Sequence, residues 1–162
     1  MLVVPVPLYH CFGMVIGSLC ALTHGAGTVF PSQGFDPKAT LEAVTKESGT
    51  SMLGVPTMFV AMLEENEKNP NSYKFDWLKK GVMAGSVCPE PLMKWVHDVF
   101  GIDKLSICYG MTETSPVSFQ TTVDCRFEKR VSTVGKIHPH VECKVVDPST
   151  GKVVPRGTEG EI

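Results

Sequence analysis

Neither a dominant charge sign nor a long hydrophobic run is present in this sequence of 162 residues. It has 15 Lys and Arg against 17 Asp and Glu, and the formal net charge of −2 argues against a nucleic-acid surface. The longest apolar-rich segment, residues 12–23, is too short to cross a bilayer. We therefore expect no nucleic-acid partner and no transmembrane segment.

The six cysteines lack the spacing of a metal site or a redox motif. None forms a Cys-x-x-Cys pair, and none stands at ligand spacing from a histidine. Since four of them lie within apolar runs, we expect small buried hydrophobes in a reducing compartment and no disulfide framework. No basic leader precedes a hydrophobic region. We expect a cytoplasmic location, with an organellar targeting segment outside these residues as the open alternative.

Short apolar runs alternate with helical periodicity over most of the chain. Strands are predicted at residues 2–6, 26–30, 50–53, 81–84 and 105–108, with helices beginning near residues 12, 37, 56 and 91. Asp36-Pro37 is a good helix start, and Gly49 is predicted to end that helix. Such βα units are typical of an α/β fold with a mostly parallel sheet flanked by helices.

The pattern changes after Pro116, where residues 117–133 are polar and show no clear period. Two short apolar runs then flank the turn-rich residues 147–151 and predict a small antiparallel hairpin. We divide the chain into an α/β subdomain over residues 1–118 and, over residues 119–162, a connecting loop with the start of a β subdomain. Since both ends fall within predicted strands, we expect a segment of a larger protein.

The stretch with the most chemistry runs from Tyr109 to Pro116, directly after the last predicted strand of the α/β region. Ligands of open α/β sheets bind at the carboxyl ends of strands. Tyr109 offers a flat face for a base, and Gly110 permits close backbone approach. Thr112 can donate to a phosphate, and Glu113 can hold Mg²⁺ beside the phosphates. The same residues also suit an ordinary loop, and by themselves they do not decide between the two.

This stretch resembles the central signature of the adenylate-forming enzymes, which include acyl-CoA synthetases, luciferases and peptide-synthetase adenylation domains. Pro7 to Met14 is similar to the segment where acyl-CoA synthetases carry a His beside the acyl site. Gly85-Ser86-Val87-Cys88 stands where the family has a Gly-Ala-Pro-like turn, and it departs from that pattern. Residues 134–137 and 160–162 match two weaker motifs. Because the matches occur in the family's order, chance explains them poorly.

The resemblance implies the roles of individual residues. His10 orients the carboxylate or gates its pocket, Thr112 contacts the α-phosphate, and Glu113 binds Mg²⁺; these three are the predicted catalytic residues. The residues implied to bind the nucleotide are Gly85, Ser86, Val87, Cys108, Tyr109, Gly110, Met111 and Thr112. An apolar acyl pocket is expected around Phe12, Met14, Val87, Met111 and Phe119.

The resemblance also implies a reaction, that of a medium- or long-chain fatty acyl-CoA synthetase. A fatty acid and ATP give acyl-AMP and pyrophosphate, and CoA then accepts the acyl group, with Mg²⁺ as the metal. The residues match the central part of the family's N-terminal domain. The family's phosphate loop, ribose-binding Asp and catalytic Lys have no counterpart among them. We therefore expect the 162 residues alone to be inactive and the parent enzyme to be active.

Three alternatives stay open at this point. The chain could be a non-catalytic nucleotide- or acyl-binding remnant, or part of an adenylate-forming enzyme that acts on an aryl or amino acid. It could also be an unrelated α/β interaction module, although residues 7–10 do not supply the acidic pocket that a response-regulator-like module needs. Acyl chain length, thiol acceptor and oligomeric state are undetermined, and an exposed sheet edge would favour a homo-oligomer.

Overall fold

A computed structural model describes residues 1–162 and shows a seven-stranded sheet with the strand order β2-β1-β3-β4-β5-β6-β7. The first five strands pair in parallel, whereas β6 and β7 are antiparallel additions at one edge. The strands are β1 (Leu2–Val3), β2 (Thr28–Val29), β3 (Ser51–Gly54), β4 (Lys80–Ala84), β5 (Lys104–Gly110), β6 (Val117–Gln120) and β7 (Lys136–Ile137). The predicted α/β class with a mostly parallel sheet is confirmed.

The helices that precede β5 in the chain connect successive parallel strands, as the alternating pattern predicts, whereas the last helix lies between β6 and β7. They are a π-helix (Phe12–Leu19) continued by α1 (Cys20–Thr23), then α2 (Pro37–Lys46), α3 (Pro56–Lys68), α4 (Glu90–Phe100) and α5 (Phe127–Ser132). Asp36 caps α2, since its carboxylate accepts a hydrogen bond from the Ala39 N–H at 2.7 Å. The predicted stop at Gly49 is wrong: α2 ends at Lys46, and Ser48 adopts the positive φ of 51° that turns the chain.

The first helical segment differs from its prediction. Apolar spacing predicts an amphipathic helix whose stripe includes Leu19 and Leu22, but these side chains are 45% and 74% exposed. The π-helix buries Phe12, Gly13 and Gly17 against the sheet instead. Wider π turns rotate the later apolar residues off the buried face, so a period read at 3.6 residues assigns the wrong contacts.

Two apolar clusters sandwich the sheet because neighbouring residues of a strand face opposite sides. A cluster of 16 buried residues lies under α2, α3 and α4, and its fully buried members include Phe59, Leu63 and Phe100. A cluster of 6 lies under the π-helix and includes Phe12 and Cys108. All six cysteines are free as predicted, but only Cys108 is buried, so the expectation of buried cysteines is wrong for the others.

Strand β5 is longer than its sequence predicts. Tyr109 and Gly110 belong to the strand, where Tyr109 pairs with Phe119 and Gly110 with Val117 of β6. The prediction that the strand ends at Cys108 is therefore wrong. The reason is that an antiparallel partner from the following segment prolongs the ladder, which local sequence does not show.

Residues 117–133, predicted as polar chain without period, contain β6 and α5. Six residues make less than two turns, so α5 has no readable periodicity. The predicted hairpin is reduced to isolated bridges from Val146 to Val153 and to Glu161. Its turn is present, because Asp147 accepts a hydrogen bond from the Ser149 N–H at 2.7 Å. The subdomain division at residues 118 and 119 stays a prediction, and β6 crosses it.

A helix needs about 20 consecutive apolar residues to cross a bilayer. None of the helices of this chain is long and apolar enough to do so.

Candidate functional site

Two adjoining cavities open where β4 and β5 end. The larger has a volume of about 520 Å³ and is lined by Gly85, Ser86, Val87, Cys88, Ile107, Cys108, Tyr109, Gly110 and residues 130–134. The smaller has about 300 Å³ and is lined by His10, Phe12, Ile16, Ala84, Gly85, Cys108, Gly110, Met111, Thr112, Glu113, Pro116 and Val117. Gly85, Cys108 and Gly110 border both, so the ends of two neighbouring parallel strands separate the cavities.

Every catalytic and nucleotide-binding residue predicted from the sequence lines one of these cavities. Ser86, Val87 and Tyr109 line only the larger one. Those confined to the smaller one are His10, Met111, Thr112 and Glu113. The structure thus brings together residues up to 103 positions apart in sequence, counted from His10 to Glu113. Their individual roles stay predictions.

Tyr109 forms one wall of the larger cavity. Its ring meets the Phe119 ring edge to face, with centroids 5.9 Å apart and an interplanar angle of 63°. This contact fixes the ring on the β5–β6 pair, because edge-to-face pairs are favoured by the quadrupoles of the rings. The loop after β4 also lines this cavity, and its Val87 is 87% exposed.

The two thiols at the larger cavity, those of Cys88 and Cys108, are poor nucleophiles at neutral pH. Burial raises the pKa of Cys108 from its ordinary value of 9.0 to about 12. Partial burial likewise raises the pKa of Cys88 from 9.0 to about 11 through desolvation. Since the thiolate is the nucleophilic form, both side chains stay protonated at neutral pH and act as apolar lining.

The turn from Met111 to Pro116 shapes the smaller cavity. The Met111 N–H donates to Thr114 Oγ1 at 3.1 Å, and that oxygen lies 3.1 Å from the Pro116 carbonyl oxygen. Thr114 thereby closes the turn. The side chains of Thr112 and Glu113 stay exposed at the cavity. A hydroxyl donor and a carboxylate are therefore presented side by side.

Gly110 is required by the chain itself. A Cβ at this position would overlap the carbonyl oxygen of Pro116 and lie 3.0 Å from Val117 Cα. The ladder between β5 and β6 also shifts its register between Tyr109 and Gly110. Close backbone approach at Gly110 was predicted, and the group that approaches is the turn's own backbone.

His10 stands at the start of the π-helix and is exposed at the smaller cavity. Its Nδ1 accepts a hydrogen bond from the Phe12 N–H at 3.0 Å. Because Nδ1 serves as the acceptor, the Nε2 atom is the ring nitrogen that carries the proton in the neutral side chain. His10 can therefore donate a hydrogen bond from Nε2 to an oxygen bound in this cavity.

One wall of the larger cavity was missed by sequence reasoning. It consists of Arg130, Val131, Ser132, Thr133 and Val134. Its only sequence signal is the neighbouring motif at residues 134–137, which does not reveal which strand the segment faces. The predicted acyl pocket is also only partly assembled, since Met14 and Phe119 line neither cavity.

The side chains suit a metal that arrives with a nucleotide. Nowhere do three or more His, Cys, Asp and Glu side chains converge as a metal site. Mg²⁺ is commonly held by one or two carboxylates together with substrate phosphates. The exposed carboxylate of Glu113 therefore fits Mg²⁺ bound by phosphates and does not form a resident metal centre.

Comparison with known families agrees with this geometry. The family model described as AMP-binding enzyme matches residues 1–162, which is the whole chain. The chain therefore belongs to the AMP-binding enzyme family, and the resemblance to adenylate-forming enzymes is confirmed.

Curated relatives share this membership. The chain is 45% identical over 160 residues to the mitochondrial medium-chain acyl-CoA ligase ACSF2 of Danio rerio, covering 98% of this chain and 26% of that protein. It is 41% identical over 158 residues to the acyl-CoA ligase SID4 of Ajellomyces capsulatus, with 98% and 26% covered. The chain thus spans about a quarter of the length of the curated relatives it matches.

Solved structures share the fold. A long-chain-fatty-acid-CoA ligase from Archaeoglobus fulgidus superposes with a TM-score of 0.82 at 21% identity, covering 97% of this chain and 32% of that one. The O-succinylbenzoate coenzyme A synthetase from Bacillus subtilis, in complex with ATP and magnesium ion, gives 0.78 at 24% identity, with 99% and 31% covered. At these identities the likeness shows the architecture alone.

Proposed function

We propose that these residues form the nucleotide- and carboxylate-binding part of an ATP-dependent acyl-CoA ligase. The observation that carries the proposal is the convergence of all predicted signature residues on two cavities that share a border. Adjoining cavities suit a reaction that joins two molecules, since holding both reactants together supplies much of the rate acceleration. The acyl-CoA ligase relatives support the same reading.

The larger cavity takes the adenosine half of ATP. Tyr109 is held by Phe119 and offers its aromatic face to the adenine, while the loop at Ser86 closes the other side. The apolar thiols of Cys88 and Cys108 add lining without competing chemistry. The volume of about 520 Å³ is within the range of small-molecule sites.

The smaller cavity takes the reacting groups. Thr112 donates to the α-phosphate, His10 donates from Nε2 to the carboxylate, and Glu113 would hold Mg²⁺ against the phosphates. When bound, Mg²⁺ neutralises charge on the phosphate oxygens. These contacts allow two anions to approach each other.

The proposed reaction has two steps. A carboxylate oxygen of a fatty acid forms a bond to the α-phosphorus of ATP, and the bond to the β-phosphate oxygen breaks to release pyrophosphate. The CoA thiolate then attacks the acyl carbonyl, and AMP leaves. Neither thiol that lines the larger cavity suits the role of acceptor, because desolvation holds Cys88 and Cys108 in the protonated form.

Pyrophosphate release tests the proposal directly in the protein encoded by the complete reading frame. Wild type should release pyrophosphate with a fatty acid, and Glu113→Gln should lower kcat/KM roughly 100-fold, the scale of losing one electrostatic contact in the transition state. The matched control is Glu64→Gln, an exposed carboxylate on α3 away from both cavities.

Three outcomes separate the candidate functions. No release with any carboxylate, although AMP binds, would favour a non-catalytic remnant. Release with aryl or amino acids alone would favour another adenylate-forming activity. Equal rates for Glu113→Gln and wild type would contradict the role of Glu113. We also expect the 162 residues by themselves to be inactive, since they span about a quarter of the relatives' length.

A further inference from the structure

We propose that Arg130 is a positioning residue that fixes the wall of the larger cavity at the distance from Tyr109 that a nucleotide needs. The inference rests on the proposed function in assigning that cavity to the nucleotide. It concerns a residue outside the predicted site, on a helix that carries none of the signature motifs.

The starting observation is an uncovered edge on β5. The β6 ladder pairs only with Cys108, Tyr109 and Gly110, so the first half of β5 has no partner strand on that side. Carbonyl groups two residues apart in a strand point to the same edge. The Ile107 carbonyl at that edge accepts a hydrogen bond from the Thr121 N–H at 2.9 Å.

Arg130 takes the place of the missing strand. Its Nη1 lies 2.9 Å from the carbonyl oxygen of Asp103 and 3.0 Å from that of Leu105. One Nη atom carries two hydrogens, so it can donate to both oxygens at once. The carbonyls at positions 103, 105 and 107 are therefore all satisfied along one edge.

The positive charge of Arg130 is not used in an ion pair. The Asp103 carboxylate lies instead 3.3 Å from Nε2 of His97. The Arg130 guanidinium stands over the Phe127 ring at 5.7 Å from its centroid, and its Nε is buried without a hydrogen-bond partner. Two backbone contacts and one aromatic face thus hold the group, which makes it an anchor for α5.

The other end of the wall is fixed independently. Gly135 has a φ of 88°. It lies so close to Gln120, the last residue of β6, and to the following Thr121 that a Cβ would overlap their backbone. The Gly135 N–H also donates to Thr133 Oγ1 at 3.3 Å. Residues 130–134 are therefore tied at both ends to the β5–β6 pair that carries Tyr109.

The two possible roles of Arg130, anchoring the wall and attracting phosphate, predict different results for Arg130→Lys. If Arg130 only attracted phosphate, Arg130→Lys would keep the function because the charge remains. If Arg130 anchors the wall, Arg130→Lys fails almost as badly as Arg130→Gln, since the shorter ammonium lacks the planar group that spans the carbonyls and stacks on Phe127.

The test compares Arg130→Lys and Arg130→Gln with Arg126→Gln in the protein encoded by the complete reading frame. Arg126 is the exposed control residue at the start of the same helix. Hydrogen exchange by mass spectrometry is followed over residues 127–134, with residues 56–68 of α3 as the internal reference. Steady-state KM values for ATP and for the fatty acid are measured on the same preparations.

We expect faster exchange over residues 127–134 in both Arg130 variants and unchanged exchange in α3. The KM for ATP should rise about tenfold, the scale of one lost hydrogen bond to a charged group, with kcat and the fatty-acid KM unchanged. Arg126→Gln should match wild type. This split between substrates is not expected from general destabilisation.

Unchanged exchange over residues 127–134 would overturn the anchoring role, and so would an Arg130→Lys protein that behaves as wild type. Faster exchange with an unchanged KM for ATP would overturn the link to the nucleotide. A wild-type protein without pyrophosphate release would contradict the proposed function. In that case faster exchange in both Arg130 variants would still support the anchor, and unchanged exchange would overturn it.

Discussion

The chain before residue 117 and the chain after it are held together by different forces. The first part contains a cluster of 16 buried apolar residues between the sheet and helices α2, α3 and α4. After residue 116 only Ser118 and Thr121 are buried, and both are polar. The second part is attached by hydrogen bonds and close backbone contacts at Thr121, Arg130 and Gly135, together with the partly buried Phe127 and Val131, which pack against that cluster.

This difference matters because the larger cavity has one wall from each part. Apolar burial is non-directional and tolerates small changes in shape. Hydrogen bonds fix distance and angle, so a change of one group can displace the segment that they hold. The α/β part therefore supplies a stable support for the larger cavity, and the later part determines how well the cavity fits a nucleotide.

The largest effect should come from removing core volume in the first part. Phe59 is fully buried, and Phe59→Ala is expected to lower the free energy of unfolding by about 3–5 kcal/mol through lost burial and a cavity. Val153, in the later part, is 66% exposed, so Val153→Ala should change the free energy of unfolding by less than about 0.5 kcal/mol. Urea unfolding measures both, and equal losses would contradict the contrast.

Gly110→Ala should act next, at the junction of the two parts. The added methyl would meet the Pro116 carbonyl, so we expect a loss of about 1–3 kcal/mol and weaker AMP binding. Gly34→Ala is the control, because a methyl added there would have no other atom within 4 Å. Calorimetric titration with AMP and thermal unfolding report the two effects. A Gly110→Ala protein as stable as the control would show that the turn can move aside.

Thr121→Val tests the polar attachment with a smaller change. The Thr121 hydroxyl accepts a hydrogen bond from the buried Ile107 N–H at 2.9 Å. Its loss leaves that donor unpaired, at a cost of about 1–2 kcal/mol. Thr122→Val, an exposed neighbour, should be neutral. Urea unfolding of the pair gives the comparison, and a neutral Thr121→Val would mean that the attachment depends on other contacts.

The smallest effect is a dependence of stability on alkaline pH. In the folded chain the pKa of Cys108 is raised from 9.0 to about 12 by burial. Well below pH 9.0 the thiol is protonated in both states, and between pH 9.0 and about pH 12 the unfolded chain releases the proton while the folded chain retains it. The free energy of unfolding should therefore fall as pH rises through this window.

The matched pair for this effect is Cys108→Ala and Cys143→Ala. Cys143 is exposed and free, so its replacement should leave the alkaline fall as in wild type. Cys108→Ala should make the decrease in the free energy of unfolding with rising pH shallower. Urea midpoints on either side of pH 9.0 measure both slopes, and identical slopes for the two variants would argue against a buried neutral thiol at position 108.

Much of the α/β part could be predicted from sequence because its signals are local. Asp36 and Pro37 start α2 as expected, and the parallel strands follow from apolar runs between helices. The convergence of the loop at Ser86 with Tyr109 follows from a general rule, since neighbouring parallel strands end at the same sheet edge.

The remainder depends on contacts between distant residues. Tyr109 lies in β5 only because β6 returns beside it. The anchoring by Arg130 requires a strand edge that β6 leaves uncovered, and α5 is too short to show a period. No local pattern records these relations, which is why the far wall of the cavity was not predicted.

The most direct test of the account is photolabelling with an azidoadenine analogue of ATP, followed by peptide mapping. If the nucleotide lies between the two parts, label should appear both near Tyr109 and within residues 130–134, and excess ATP should prevent it at both. Label at only one of these walls, or outside the residues that line the larger cavity, would contradict a nucleotide site built from both parts of the chain.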